Sequence, residues 1–282
     1  MSAALAEGNL RKMRATLAED GVARYELPCG EAHVPFNELL GRRIRLAYSG
    51  EINCIHCGRK TKKSFNQGYC YPCFKRLAQC DSCIVKPETC HYHAGTCREP
   101  EWGEAHCMTD HVVYLANTSG LKVGITRGTQ VPTRWIDQGA TEALPILRVP
   151  DRLSSGLAEA IFARHVADKT AWQRNLKGPG EDIDLAAARD KLLDDCQREL
   201  RELEAENGPG AWNLIADVPA TPITYPVLEY PVKVRSMTFD KLPDVEGVLK
   251  GIKGQYLILD TGVINMRRHA GYRVEFSLAE ET

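Results

Sequence analysis

Three C-x-x-C pairs are the strongest chemical signal in this sequence. They lie in a stretch from Cys54 to Cys107 that holds nine of the eleven cysteines. Two thiolates two residues apart can hold one side of a tetrahedral zinc ion, and two such pairs complete the site. Twelve residues separate the first pair from the second, the usual frame of a structural four-cysteine site. The sequence therefore predicts a zinc ion bound by Cys54, Cys57, Cys70 and Cys73.

A second zinc site is expected from the rest of this stretch, but the spacing leaves its ligands open. The main candidate ligands are Cys80, Cys83, Cys90, His93, Cys97 and Cys107, and the open alternatives are His91, His106 and His111. Cys80 and Cys83 form the firm half, and Cys90-x2-His93 has the spacing of a second pair. A cross-braced arrangement, in which the first and third C-x-x-C pairs share an ion, fits nearly as well. Because thiolate-rich sites are usually structural, we expect one or two zinc ions that act as scaffold.

Basic residues are concentrated around the first two cysteine pairs. No acidic residue occurs between Cys54 and Arg76. The candidate nucleic-acid contacts in this segment are Arg59, Lys60, Lys62 and Lys63. Aromatic residues, including Phe65 and Tyr71, are interleaved with them, and this mixture suits phosphate contact and base stacking. Alternatively, the aromatic rings only cover a small zinc core. The first interpretation makes DNA or RNA the expected partner.

A hairpin pattern follows the cysteines. Residues 111–116 (HVVYLA) and 121–125 (LKVGI) have strand character and flank a turn at 117–120. A third strand is predicted over residues 143–149, and apolar residues at helical spacing predict a helix over 154–170. The segment therefore predicts a small three-stranded sheet with flanking helices.

This segment, residues 111–178, resembles the GIY-YIG nuclease superfamily. In that family each of the first two strands carries a tyrosine, and an arginine and a metal-binding glutamate follow on helices. The resemblance places Tyr114 at the first tyrosine, Lys122 at the second, Arg134 at the arginine and Glu159 at the metal ligand. Because a lysine replaces the second tyrosine, the chain departs from the family pattern at that position.

The resemblance implies hydrolysis of phosphodiester bonds with Mg²⁺ or Mn²⁺. Glu159 would hold the ion, since Mg²⁺ prefers carboxylate and water oxygens, and Arg134 would clamp the phosphate. Tyr114 would activate or position the attacking water if Lys122 or the metal lowers its pKa. Trp135, beside Arg134 in the sequence, is a candidate nucleotide contact. The alternative is that these side chains serve only packing and surface ion pairs.

The expected fold class is α+β with several domains. The segments are an N-terminal β segment at 1–53, the cysteine module at 54–110, the GIY-YIG-like segment at 111–178, an acidic amphipathic helix within 179–210, and a β segment at 211–282. The last segment predicts a small barrel or sandwich, which N-terminal strands are expected to complete. This order of zinc knuckles, GIY-YIG-like segment and β segments is also similar to an uncharacterised prokaryotic family.

Composition bounds the location and function of the protein. The net charge is −1 and no apolar stretch has the length of a membrane span. The N-terminal residues lack the apolar core of a signal peptide, so a cytoplasmic protein with reduced thiols is expected. The leading hypothesis is a metal-dependent endonuclease. The alternatives are a non-catalytic nucleic-acid-binding protein that keeps the fold, and a zinc-scaffolded interaction protein.

Overall fold

The structure is a computed structural model, which describes residues 4–166 and 171–279. These residues form three β-sheets and seven α-helices. The strands are β1 Ala4–Asn9, β2 Arg14–Leu17, β3 Ala23–Cys29, β4 Ala32–Pro35, β5 Arg43–Asn53, β6 Lys60–Thr61, β7 His111–Asn117, β8 Leu121–Arg127, β9 Glu142–Val149, β10 Asn213–Leu214, β11 Thr221–Pro222, β12 Ser236–Met237, β13 Asp244–Lys253, β14 Tyr256–Leu259, β15 Gly262–Asn265 and β16 Tyr272–Leu278. The helices are α1 Tyr71–Arg76, α2 Pro100–His106, α3 Thr133–Asp137, α4 Arg152–Ala163, α5 Trp172–Asn175, α6 Leu185–Asp195 and α7 Gln197–Asn207. This is the mixed α+β class that the sequence predicts.

The largest sheet joins the two ends of the chain. Its strand order is β1-β16-β5-β13-β14-β15-β12, and β6 adds to β5. In β5 the apolar residues Ile44 and Leu46 are buried while their neighbours are more exposed, which is the two-residue period of a half-buried strand. Leu46 lies opposite Val245 on β13 and Phe276 on β16, all three buried. Strands from before and after the cysteines therefore share one core.

Strands β12–β16 of the C-terminal segment lie in this large sheet, and β1 and β5 from the N-terminal segment complete it. The short strands β10 and β11 pair instead with β9. The sequence of the C-terminal segment also predicts a strand at 230–235, but the chain there is irregular, contains Pro231, and exposes Val232 to solvent. Strand Ala23–Cys29, expected to complete the C-terminal β segment, lies instead in a separate sheet with β2 and β4. Burial of its alternate residues against the large sheet explains its strand pattern.

The hairpin β7–β8 and strand β9 form the centre of the third sheet. β7 pairs antiparallel with β8 on one side and β9 on the other, and it is buried along its whole length. Val113 and Leu115 pack with Phe162 of α4, while Tyr114 faces the opposite core with Trp135. This division follows from the alternation of side chains along a strand. The sheet thus has α4 on one face and α3 on the other.

Two predicted helices have different bounds in the structure. The helix expected over 154–170 forms as Arg152–Ala163. Asp151 caps its N-terminus, because the Asp151 carboxylate accepts a hydrogen bond from the Ser154 N–H. Residues 167–170 lie outside the described residues. The long acidic helix is two helices, because the backbone leaves the helical range at Cys196. This break lets apolar residues of both helices pack in the core that contains Cys196. Among the described residues, no helix combines the length and apolar character that a membrane span needs.

Candidate zinc centre and cationic cleft

Four thiols converge where the large sheet enters the cysteine module. The Sγ atoms of Cys54, Cys57, Cys70 and Cys73 all lie within 4.8 Å of one another. Cys54 directly follows β5, and Cys70 precedes the first turn of α1, which contains Cys73. The N–H of Gly58 donates to the carbonyl of Cys54 at 2.9 Å and closes the first knuckle. A strand end and a helix start therefore position the two pairs.

The geometry of this centre fits zinc. A tetrahedron with Zn–S bonds of about 2.3 Å places its sulfurs about 3.8 Å apart, and the Cys57 and Cys70 sulfurs are 3.8 Å apart. Burial opposes ionisation of Cys54, yet N–H donors from Cys57, Cys70 and His56 lower the pKa of its thiol to about 6. A thiolate is the form that binds metal. The four cysteines can therefore bind a zinc ion, as the sequence predicts.

The remaining predicted zinc ligands lie in three different places. Cys80 is buried in the apolar cluster of the first centre, next to Cys54, Cys70 and Leu77. His93 lies with Nε2 3.1 Å from a carboxylate oxygen of Asp151. A small cavity is lined by the other four cysteines, namely Cys83, Cys90, Cys97 and Cys107.

The basic segment of the first knuckle lies on the surface. Its four side chains, Arg59, Lys60, Lys62 and Lys63, belong to exposed residues. Lys60 pairs with Glu51 at 3.2 Å, and the Lys63 ammonium lies 5.5 Å from the centre of the Phe65 ring. Phe65 also stacks on Phe74, which packs against the cluster of the zinc-binding cysteines, whereas Tyr71 is exposed.

Lys122, Arg134 and Glu159 line one cleft of about 590 Å³. β8 contributes Lys122, α3 contributes Arg134, and α4 contributes Glu159. The opposite wall comes from the cysteine module, including Gln79 and Trp102. The cationic lining residues are Lys12, Lys122, Arg127, Arg134, Arg152 and Arg267, and the acidic ones are Asp137 and Glu159. Six cations against two carboxylates give the cleft a strongly positive character that the net charge of the chain conceals.

Tyr114 lies beneath this cleft and is fully buried. It is opposite Gly124 across the hairpin, and a Cβ atom at Gly124 would be 2.7 Å from the tyrosine oxygen. The Tyr114 hydroxyl donates to Gln138 Oε1 at 2.7 Å. Burial raises the pKa of Tyr114 to about 12, although the neighbouring Arg134 lowers it in part. Loss of hydration thus outweighs the nearby Arg134 cation at this hydroxyl group.

Glu159 is half-buried at the cleft wall. Burial raises the pKa of its carboxyl group, and the charges of Lys122 and Arg134 oppose that rise. The second carboxylate of the cleft, Asp137, is occupied: it pairs with Lys12 and accepts a hydrogen bond from Gln255 at 2.9 Å. A Mg²⁺ or Mn²⁺ ion would thus have one available carboxylate, and Mg²⁺ is commonly held by one or two carboxylates with waters and substrate phosphates.

Trp135 and Asn175 contact the protein interior near α3 rather than the open cleft. Trp135 is buried, with its ring 5.8 Å from that of Tyr114, so the expected nucleotide contact does not fit its place. Asn175 Nδ2 donates to the carbonyl of Gln138 at 2.9 Å. Both residues support the α3 turn that presents Arg134 and Gln138 to the cleft.

Sequence reasoning missed several cleft residues. Arg152 begins α4, and its guanidinium donates to the carbonyl of Ile84 at 2.7 Å. Lys12 and Arg267 come from near the two ends of the chain and reach the cleft from the β1–β2 connection and from the turn between β15 and β16. Their positions depend on long-range strand pairing, for which a single sequence gives no local signal.

Comparison with known proteins identifies the family of the chain. The sequence model of a family described as "Protein of unknown function (DUF2797)" matches residues 41–274. The match spans most of the chain, from β5 through the cysteine module and the cleft to β16, and the chain belongs to this family. No curated protein and no solved structure matches it significantly.

Proposed function

We propose that this member of the DUF2797 family binds nucleic acid in the cationic cleft and hydrolyses phosphodiester bonds there with Mg²⁺ or Mn²⁺. The observation that carries the proposal is the convergence of Lys122, Arg134 and Glu159 on one cleft, with Tyr114 beneath it. Lys122, Arg134 and Glu159 come from three separate elements, namely β8, α3 and α4. A group of cations facing one half-buried carboxylate suits a phosphate diester with a divalent ion better than a neutral substrate.

The residues have distinct roles in this reaction. Arg134 and Lys122 bind the phosphate oxygens and offset the charge that grows as water attacks phosphorus. Glu159 holds the divalent ion, which when bound supplies Lewis acidity and an activated water. Water oxygen forms a bond to phosphorus as the bond to the leaving sugar oxygen breaks. The products are a phosphate monoester and a hydroxyl group.

Tyr114 acts as a positioning residue in this proposal. Since its pKa is about 12, the hydroxyl stays protonated near neutral pH and cannot serve as a base in the resting protein. By donating to Oε1 of Gln138 it fixes the amide and leaves the amide nitrogen as a donor to a ligand oxygen. Tyr114→Phe should therefore weaken turnover less than Glu159→Gln.

Cleavage assays on labelled single-stranded, duplex and branched DNA and on RNA test the proposal. We expect turnover that requires Mg²⁺ or Mn²⁺ and is lost in Glu159→Gln, since the amide cannot replace the charged metal ligand. Glu202→Gln, on the exposed side of α7, is the matched control and should retain activity. Absence of cleavage for every substrate, with Glu159→Gln binding as the wild type does, would reject the nuclease assignment.

A non-catalytic nucleic-acid-binding protein is the second candidate. Lys122 in place of the second family tyrosine, together with the buried and protonated state of Tyr114, favours it. Such a protein would bind DNA or RNA with an affinity that falls steeply as salt rises, because cation–phosphate contacts release counterions. It would show no turnover. Glu159→Gln would then bind at least as tightly as the wild type, since it removes a negative charge from the cleft.

A further inference from the structure

Four cysteines outside the first zinc centre surround one very small cavity. They are Cys83, Cys90, Cys97 and Cys107. Cys83 and Cys107 are buried, and the other two are half-buried. The cavity has a volume of about 10 Å³, close to the space of a single water-sized sphere. We propose that these four thiolates bind a second structural zinc ion, separate from the ion at Cys54, Cys57, Cys70 and Cys73.

The four cysteines reach this cavity from separate parts of the cysteine module. Cys83 lies in the turn Ser82–Ile84, Cys90 follows the turn Pro87–Thr89, and Cys107 follows α2. Four cysteine thiolates match the ligand chemistry of zinc in structural sites. The absence of a side chain at Gly103 leaves space for the Cys97 thiol, because a Cβ atom at Gly103 would lie only 3.1 Å from Cys97 Sγ.

A competing donor group lines the same cavity, because Asp81 and His91 are among its lining residues. Ligand atoms of Asp81, Cys83 and His91 lie within 4.8 Å of one another. However, the Asp81 carboxylate is held by the Arg98 guanidinium at 2.6 Å and by the N–H of Ser82 at 2.6 Å. These partners explain Asp81 as the centre of an ion-pair network, and His91 at 3.4 Å as a further member of that network.

Two donors expected from the sequence are placed elsewhere. Cys80 packs with the first centre, and His93 faces Asp151. With Asp81 and His91 committed to their network, the four cavity cysteines are the set that remains for the second ion. Their spacing, with six, six and nine intervening residues, contains no C-x-x-C pair. The structure thus assigns a centre that the pair spacing does not reveal.

The proposed centre lies directly behind the cationic cleft. Its ligand segments supply three carbonyl groups to one residue: Arg152 donates through Nη2 to Ile84 at 2.7 Å, through Nε to Cys83 at 3.3 Å, and through its backbone N–H to Cys107 at 2.8 Å. A zinc ion at Cys83 and Cys107 would fix these carbonyls. It would thereby hold the Arg152 side chain, which lines the cleft.

Metal analysis of the purified protein and its variants tests the proposal. Wild type should contain two zinc ions per chain, and the double variant Cys90→Ser/Cys97→Ser should contain one. Cys54→Ser/Cys57→Ser should also contain one, because it loses the other ion. The matched controls Cys80→Ser, His93→Ala and His91→Ala should retain two. One zinc ion in the wild type, two in Cys90→Ser/Cys97→Ser, or one in any control variant would overturn the assignment.

X-ray absorption at the zinc edge makes the test independent of mutant folding. In the wild-type protein, two four-cysteine centres give an average of four sulfur neighbours per zinc at about 2.3 Å. An ion held by Asp81, Cys83 and His91 would replace most sulfurs at one centre with oxygen and nitrogen at shorter distances. An average clearly below four sulfurs would reject the proposed ligand set.

Discussion

Replacing Gly156 by alanine should separate the cysteine module from the helix that carries Glu159. Gly156 lies on the side of α4 that meets the short turn Pro87–Thr89 of the cysteine module. A Cβ atom at this position would lie 2.1 Å from the nitrogen of Glu88 and 2.4 Å from the carbonyl carbon of Pro87. The glycine therefore permits a direct contact between two backbone segments.

The size of the effect follows from these distances. An ordinary contact needs at least 3.4 Å, so the turn must retreat by about 1.3 Å to accept the methyl group. Overpacking of this kind destabilises proteins by about 1–3 kcal/mol. Because both opposing atoms belong to backbone, no side chain can rotate away. We therefore expect a loss of about 2–3 kcal/mol in the free energy of unfolding.

Denaturant unfolding at saturating zinc measures this loss, and fluorescence anisotropy with a labelled oligonucleotide measures its effect on the cleft. Gly178→Ala is the matched control, since no heavy atom lies within 4 Å of its added methyl group. The control should stay within about 0.5 kcal/mol of the wild type. If Gly156→Ala were as stable as Gly178→Ala and bound the oligonucleotide equally well, the inferred docking of the two segments would be refuted.

Three further predictions concern charge. Arg134→Ala should reduce the slope of log affinity for duplex DNA against log salt by about 0.9, whereas Arg198→Ala on exposed α7 should leave the slope unchanged; titrations at several salt concentrations measure both. Burial lowers the pKa of Lys253 to about 8, so the unfolded state binds more protons than the folded state between pH 8 and about 10.4. The free energy of unfolding of the wild type should therefore rise by up to about 3 kcal/mol across that window. An equal rise in Lys253→Met would contradict this explanation. Burial also lowers the pKa of His269, whose Nε2 accepts a hydrogen bond from the Phe239 N–H. The stabilising contribution of this histidine is therefore complete above about pH 6.5 and is lost as the pH falls toward its folded-state pKa. His269→Phe should lose less stability than the wild type between pH 7.5 and 5.5, and an unchanged loss would contradict a buried neutral His269.

Local patterns in the sequence predict the parts of the site that local chemistry fixes. Knuckle spacing places Cys54, Cys57, Cys70 and Cys73 together because each pair needs only a short turn. The turn between β7 and β8 sets their register, so Tyr114 and Gly124 face each other. The hairpin and the first cysteine cluster are accordingly visible before any tertiary structure is known.

Other features depend on contacts between distant segments. The raised pKa of Tyr114 arises from burial against the core that α3 and the large sheet complete, whereas strand alternation gives only the face on which the side chain lies. The break at Cys196 depends on packing of two helices against one core, while the amphipathic pattern continues through it. Neither outcome can be obtained from residue spacing alone.

The arrangement of cations makes the cleft positively charged although the chain as a whole is nearly neutral. Arg134 and Arg267 are close enough that burial and Arg134 both lower the pKa of Arg267, with Asp137 offsetting part of that effect. Asp137 is itself engaged by Lys12, so its charge is shared. Bringing two guanidinium groups together is unfavourable in water-poor surroundings unless an anion neutralises them. The fold keeps the two cations close because the short turn Arg267–His269, between β15 and β16, positions Arg267 and α3 positions Arg134. A bound anion would relieve this repulsion, so the repulsion itself favours the binding of an anion in the cleft.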